Sequence, residues 1–167
     1  MFKQDLEDVG HQTVRNWMGD RDGKLAIIIL CDQFSRNIYR GMAEAFSFDH
    51  ISLQLSRNIL AHVEEFRQFK NFEKLFIILP LMHSEALEDC QLCIDILNSM
   101  IQEFQDADQE SLAKIFQLNK KWALEHLEIL QLYGRYPHRN KVLGRDNSEE
   151  EDLYLKDAGY FGQHQSQ

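Results

Sequence analysis

Apolar residues recur every three or four positions along almost the whole chain, and that spacing admits helices and little else. Phe48, Ile51, Leu55, Ile59 and Val63 follow at intervals of 3, 4, 4 and 4, one face of a helix. The residue census agrees. Leucine occurs 21 times, valine four times and threonine once, whereas strands favour β-branched residues. Only Pro80 and Pro137 interrupt 167 residues. The expected class is all-α, with helices of similar length in antiparallel pairs, an α-hairpin array.

Local signals set the expected elements. Phe2, Leu6, Val9 and Trp17 fit a first helix ending near Gly19. Asp22 can cap a second that runs to about Ile38, with Gly41 beyond it. A fourth helix, after the one from Phe48 to Val63, spans Asn71 to Leu79 and stops near Pro80. Ser84 is placed to cap a fifth, with Glu85, Glu88 and Asp89 near its positive end. The acidic stretch from Glu103 to Glu110 reads as a solvated loop. A long sixth helix from Leu112 to Tyr133 follows, carrying Ile115, Asn119, Trp122 and Ile129, with Gly134 to end it. Ser148 and Glu151 match a capping box for a last helix through Leu155. No linker divides the chain, so residues 1–158 are expected to form one domain and 159–167 a frayed tail.

Charge and cysteine content narrow the function classes. A net charge of −9 argues against nucleic acid and against an anionic membrane surface as partners. No apolar run approaches the roughly 20 residues of a membrane span. Three cysteines argue against a disulfide framework, and no basic, apolar leader opens the chain. A reducing cytoplasm is the expected compartment. Within this acidic chain Arg135, Arg139, Lys141 and Arg145 lie close together with no acid among them, which suggests a local anion site.

Standard catalytic motifs are absent. Cys90 and Cys93 have redox or zinc spacing, but a single mid-helix pair reads as buried packing, with the thiols reduced and no zinc. Three polar strings stand out. Asp32, Arg36 and Arg40 are spaced i, i+4, i+8 directly after the most apolar run, Leu25 to Cys31, with Gln33 and Asn37 beside them. They are either a surface ladder or partly buried charges that need partners. His83-Ser84-Glu85 lies at an expected helix start, where free N–H groups can hold an anion or simply be capped. Arg135, His138, Arg139, Asn140 and Arg145 make a loop able to grip carboxylate or phosphate, or to clamp helix ends. His126 reads as a core histidine.

In order and spacing these strings resemble the signature of domain of unknown function family 924. They are Asp32-Gln33-Phe34-x-Arg36-Asn37-Ile38-Tyr39-Arg40-Gly41, Pro80-Leu81-Met82-His83-Ser84-Glu85, and Gly134-Arg135-Tyr136-Pro137-His138-Arg139-Asn140 with Leu143-Gly144-Arg145. The resemblance runs from about Leu25 to Leu155. It implies a tetratricopeptide-like helical fold and no particular activity. Members usually begin with a further N-terminal segment, carry proline where Ser35 stands, and lack cysteine around Cys90 and Cys93. Without that segment an apolar strip on the Leu25–Leu30 or Phe72–Phe76 helix is expected to lie uncovered, in a monomer or a homodimer.

Two functions follow as expectations. In the first, Asp32, Gln33, Arg36, Asn37, Arg40, Arg135, Arg139, Asn140 and Arg145 bind an anionic small molecule, with His83, Glu85 and His138 as candidates for proton transfer. In the second, the chain is a noncatalytic scaffold for a peptide or protein partner, and the same charges form a buried network. No cofactor or metal is expected, because no ligand spacing demands one. The three strings are expected to meet in space, where buried charges find partners.

Overall fold

Why Asp20 rather than Asp22 begins the second helix is a matter of geometry. In the computed structural model, which describes residues 2–10 and 15–157, the Asp20 backbone is extended and its carboxylate accepts from the Gly23 N–H at 2.9 Å. Asp22 falls inside the first turn. Every regular element among the described residues is helical. They are α1 (Phe2–Gly10), α2 (Arg21–Ile29), α3 (Ser35–Ile38), α4 (Asp49–Ala61), α5 (Val63–Arg67), α6 (Asn71–His83), α7 (Leu87–Asp106), α8 (Glu110–Tyr133) and α9 (Glu149–Asp157), with short 3-10 turns between. None is long and apolar enough to cross a membrane.

The helices group into two compact units, one of residues 1–80 with 137–167 and one of Leu81–Tyr136. The core of the first gathers Leu6, Val9, Ile27, Ile28, Leu55, Ile59, Phe69 and Ile77. Gly23 is required there, because any Cβ would lie 2.1 Å from the Trp17 carbonyl oxygen. The expected last turns of the first helix differ: Arg15–Gly19 is a 3-10 turn packed on α2. Residues 11–14 and the expected tail 159–167 lie outside the described residues. The Phe48–Val63 face also breaks, because His62 leaves helical geometry, and Val63 is exposed. Phe72 and Phe76 are exposed as well.

From α2 the chain stays helical to Ile38, but Leu30–Phe34 is a π-turn. The Ser35 N–H reaches back to the Leu30 carbonyl, and the Ser35 hydroxyl donates to the Cys31 carbonyl. Inserted turns of this kind re-aim side chains and are frequent at functional sites. Near the chain's end the expected capping box forms. Ser148 N–H donates to Glu151 at 2.8 Å, and Glu151 N–H to the Ser148 hydroxyl at 3.2 Å.

In the second unit α7 and α8 form an antiparallel hairpin. The register is fixed by the Phe104–Phe116 rings, 4.9 Å apart near the turn, and by Cys90 Sγ donating to the Ala123 carbonyl at 3.4 Å farther along. α7 runs on to Asp106, so only Ala107–Gln109 remain of the expected acidic loop. Gly134 ends α8 at a φ of 68°, a left-handed cap as its position implies. Pro80 does not stop α6, which continues to His83. Pro80 has no N–H, so the Phe76 carbonyl four residues back loses its usual donor.

Candidate functional site

In the first unit the π-turn carries Asp32 into the interior, where it is 1% exposed. One turn later Arg36 Nη2 donates to Asp32 at 3.2 Å and to both carboxylate oxygens of Asp49 at 3.1 Å. Arg139, buried in the 3-10 turn Pro137–Arg139, brings its guanidinium within 4.0 Å of Asp49. Both guanidinium groups lie over the Phe46 ring, Arg36 at 5.2 Å and Arg139 at 4.9 Å. Two arginines, two carboxylates and one aromatic ring thus form a single cluster. Arg36 Nε and Nη1 are buried in it and have no hydrogen-bond acceptor among the described residues.

The expected ladder stops at this rung. α3 ends at Ile38, so Arg40 swings outward, exposed, and donates to the Asn37 side chain at 3.0 Å. Asn37, also exposed, donates to the Gln33 carbonyl at 2.9 Å, and the Gln33 amide donates to Asp32. Asp49 and Phe46 were not foreseen as members. Burial pushes the Asp49 carboxyl above its usual value, and nearby Arg36 and Arg139 only partly oppose this.

Asn140, fully buried, anchors a second polar group in the same unit. Its amide donates to Asn147 at 2.7 Å and to Glu151 at 3.3 Å, and its carbonyl accepts from Arg145 Nε at 2.9 Å. This group ties the loop after Arg139 to the start of α9. His138 is half-buried between the two groups in sequence.

The second unit holds the other candidates. His83 is the last residue of α6, and the helix start lies later, at Ala86, which corrects the expected cap. Ser84 instead accepts from the Ala86 N–H at 3.2 Å and donates to buried Asp89 at 2.6 Å. Glu85, in the turn, accepts the Tyr136 N–H at 2.8 Å. Tyr136 is fully buried and donates through its hydroxyl to the Met82 carbonyl at 2.6 Å. Arg135 is half-buried beside it. His126, expected in the core, is half-buried instead. It packs edge-on against Tyr136 at 5.3 Å and lies 6.4 Å from the His83 ring. Its Nδ1 sits 2.8 Å from the Trp122 carbonyl, so the neutral ring carries its proton on Nδ1 and its lone pair on Nε2.

Cys31, Cys90 and Cys93 are buried free thiols. Burial pushes them up to about 12, 11 and 12, which leaves no thiolate at neutral pH. All three should resist a thiol reagent in the folded protein and react together once it is unfolded. Fast labelling of the native chain, or stoichiometric zinc lost in Cys90→Ser, would refute this. No metal-competent group of three His, Cys, Asp or Glu side chains occurs among the described residues.

Residues 1–159 match the family model described as bacterial protein of unknown function, DUF924. A solved structure of a protein of unknown function from Agrobacterium tumefaciens is similar, with a TM-score of 0.76 and 24% identity, over 94% of this chain and 80% of that one. No curated protein matches.

Proposed function

The chain belongs to the DUF924 family of bacterial proteins of unknown function; since membership brings no chemistry with it, we propose from the site itself that the Arg36–Arg139 cluster binds an oxyanion, a phosphate or carboxylate on a small molecule. One observation carries this. Arg36 spends a single nitrogen, Nη2, on both of its carboxylate partners and keeps the donors on Nε and Nη1 buried without an acceptor among the described residues. A buried donor left unsatisfied costs about 1–3 kcal/mol, more on a charged group. An oxyanion accepting from those N–H groups recovers that cost through charge-assisted bonds. The Phe46 face holds both guanidinium planes in place for it. His138, next to Arg139 in sequence, would carry a proton at this site, whereas His83 and Glu85 enter no proposed step.

The scaffold reading has its own support in the Asn140 group, whose amide and carbonyl are spent inside the chain. The α7–α8 hairpin fits a tetratricopeptide-like array, and three free buried thiols fit a reducing cytoplasm.

A thermal-shift titration separates the two. Inorganic phosphate, sulfate or a small carboxylate should raise the melting temperature above a chloride control of matched ionic strength. Arg36→Lys keeps the charge but lacks Nε–H and Nη1, and should lose that response while remaining folded. If no anion stabilises the parent beyond chloride, the cluster is a structural clamp.

A further inference from the structure

The outer face of α8 is apolar where a water-facing helix should be polar. α8 packs on α7 through Ala113, Phe116, Ala123 and Leu130, all buried. Roughly 140° around the helix from that face lie Ile115, Leu118, Trp122 and Leu132, which are 38%, 49%, 44% and 66% exposed. Their positions are the a, d, a and d sites of one heptad frame, with Glu125 and buried Ile129 at the two sites between. Ile115, Leu118 and Trp122 make a contiguous exposed apolar patch, which Glu125 and buried Ile129 interrupt before Leu132, and a patch of this kind is where one helix packs against another.

The charges along its edge say what the other helix is. The flanking g sites hold Lys114 and Lys121 in the first part of α8 and Glu128 in the last. A partner helix with one sign of charge would meet a like charge at one end. A second α8 running antiparallel meets the opposite charge at both.

We propose that the outer face of α8 is a self-association surface on which a second copy of this chain docks its own α8 antiparallel. A twofold axis between Leu118 and Trp122 sets Leu118 of one protomer against Trp122 of the partner subunit, and Lys114 against Glu128 of the partner subunit. Lys121 falls near the axis, where Glu125 on its own helix lies 3.9 Å away and screens it. The surface lies within the second unit, so the proposal is independent of the Arg36 cluster.

Sedimentation velocity over a wide concentration range tests it. The parent should form a dimer, and Trp122→Lys should weaken dimerisation by at least about tenfold, as expected when a central aromatic anchor is lost. Trp122 is exposed, so far-UV circular dichroism should not change. Lys114→Glu should weaken the dimer, and adding Glu128→Lys should restore it. A parent that stays monomeric, alone or while binding an amphipathic helical peptide, overturns the proposal. A dimer indifferent to Trp122→Lys, or a charge-reversed pair that fails to restore it, does so too.

Discussion

Tyr136→Ala is expected to lower the unfolding free energy by about 4 kcal/mol, the upper range for removing a buried aromatic side chain. Tyr136 is 0% exposed, and it works at three places in the second unit. Its ring fills the space beside His126. Its N–H is held by Glu85. Its hydroxyl donates to the Met82 carbonyl, one of the last four of α6, which have no acceptor role left inside that helix. Alanine removes the ring and leaves that carbonyl without its donor. In a chain of this length each kcal/mol moves the melting temperature by roughly 2–4 °C, so a fall of about 12 °C should be seen. Tyr136→Phe keeps the ring and loses only the hydroxyl, and should cost about 1–2 kcal/mol. A Phe variant as unstable as the Ala variant would place the stabilisation in the hydroxyl bond. An Ala variant within about 1 kcal/mol of the parent would show that the ring is not packed as described.

Signals that depend on one or two residues proved legible in the sequence. Gly134 needed only its left-handed freedom, and Ser148 with Glu151 needed only their spacing. Signals that depend on what lies opposite did not. The apolar spacing through Ile115 and Trp122 was real, but spacing marks a stripe and not its cover. α8 turns a different one, Phe116 and Ala123, toward α7. Pro80 read as a stop because its missing N–H is a local fact, whereas the burial of Ile77, Ile78, Leu81 and Met82 that favours carrying α6 past it is not.

The site shows the same limit. The cost of burying Asp32 and Arg36 required a partner from elsewhere, and Arg139 was already a candidate. Asp49 was missed because an acid in the first turn of a helix is ordinary: it complements the helix dipole wherever it points. Phe46 was missed because an aromatic ring in a connecting turn has no periodicity to place it. No residue pattern announced the π-turn that carries Asp32 into the interior. Adding Asp49 also changes the charge balance. Arg36 and Arg139 face Asp32 and Asp49 two against two, so this cluster carries no cationic excess.

Arg36→Met should cost about 3 kcal/mol at neutral pH, and part of that loss should return on acidification. The first half follows from burial. The Arg36 side chain is 16% exposed and Asp32 2%, so methionine fills the volume but leaves carboxylates whose shared cation has gone. The second half follows from Asp49. Burial already holds its carboxyl above the usual 3.8 in the folded protein, against the pull of Arg36 and Arg139. Removing Arg36 deletes the larger of those two opposing attractions, so the folded value rises further. An acid whose folded value exceeds its unfolded one binds more protons when folded, so falling pH between the two values adds stability relative to neutral pH. The parent has this window too, but a narrower one. Urea unfolding of both proteins at neutral pH and near pH 5 should therefore show the gap between them shrinking. A gap that stays constant or widens at the lower pH would mean that Asp49 does not depend on Arg36 for its charge. Asp49→Asn in the Arg36→Met background gives the complementary measurement: with the acid replaced by an uncharged isostere, the pH dependence of the gap should disappear.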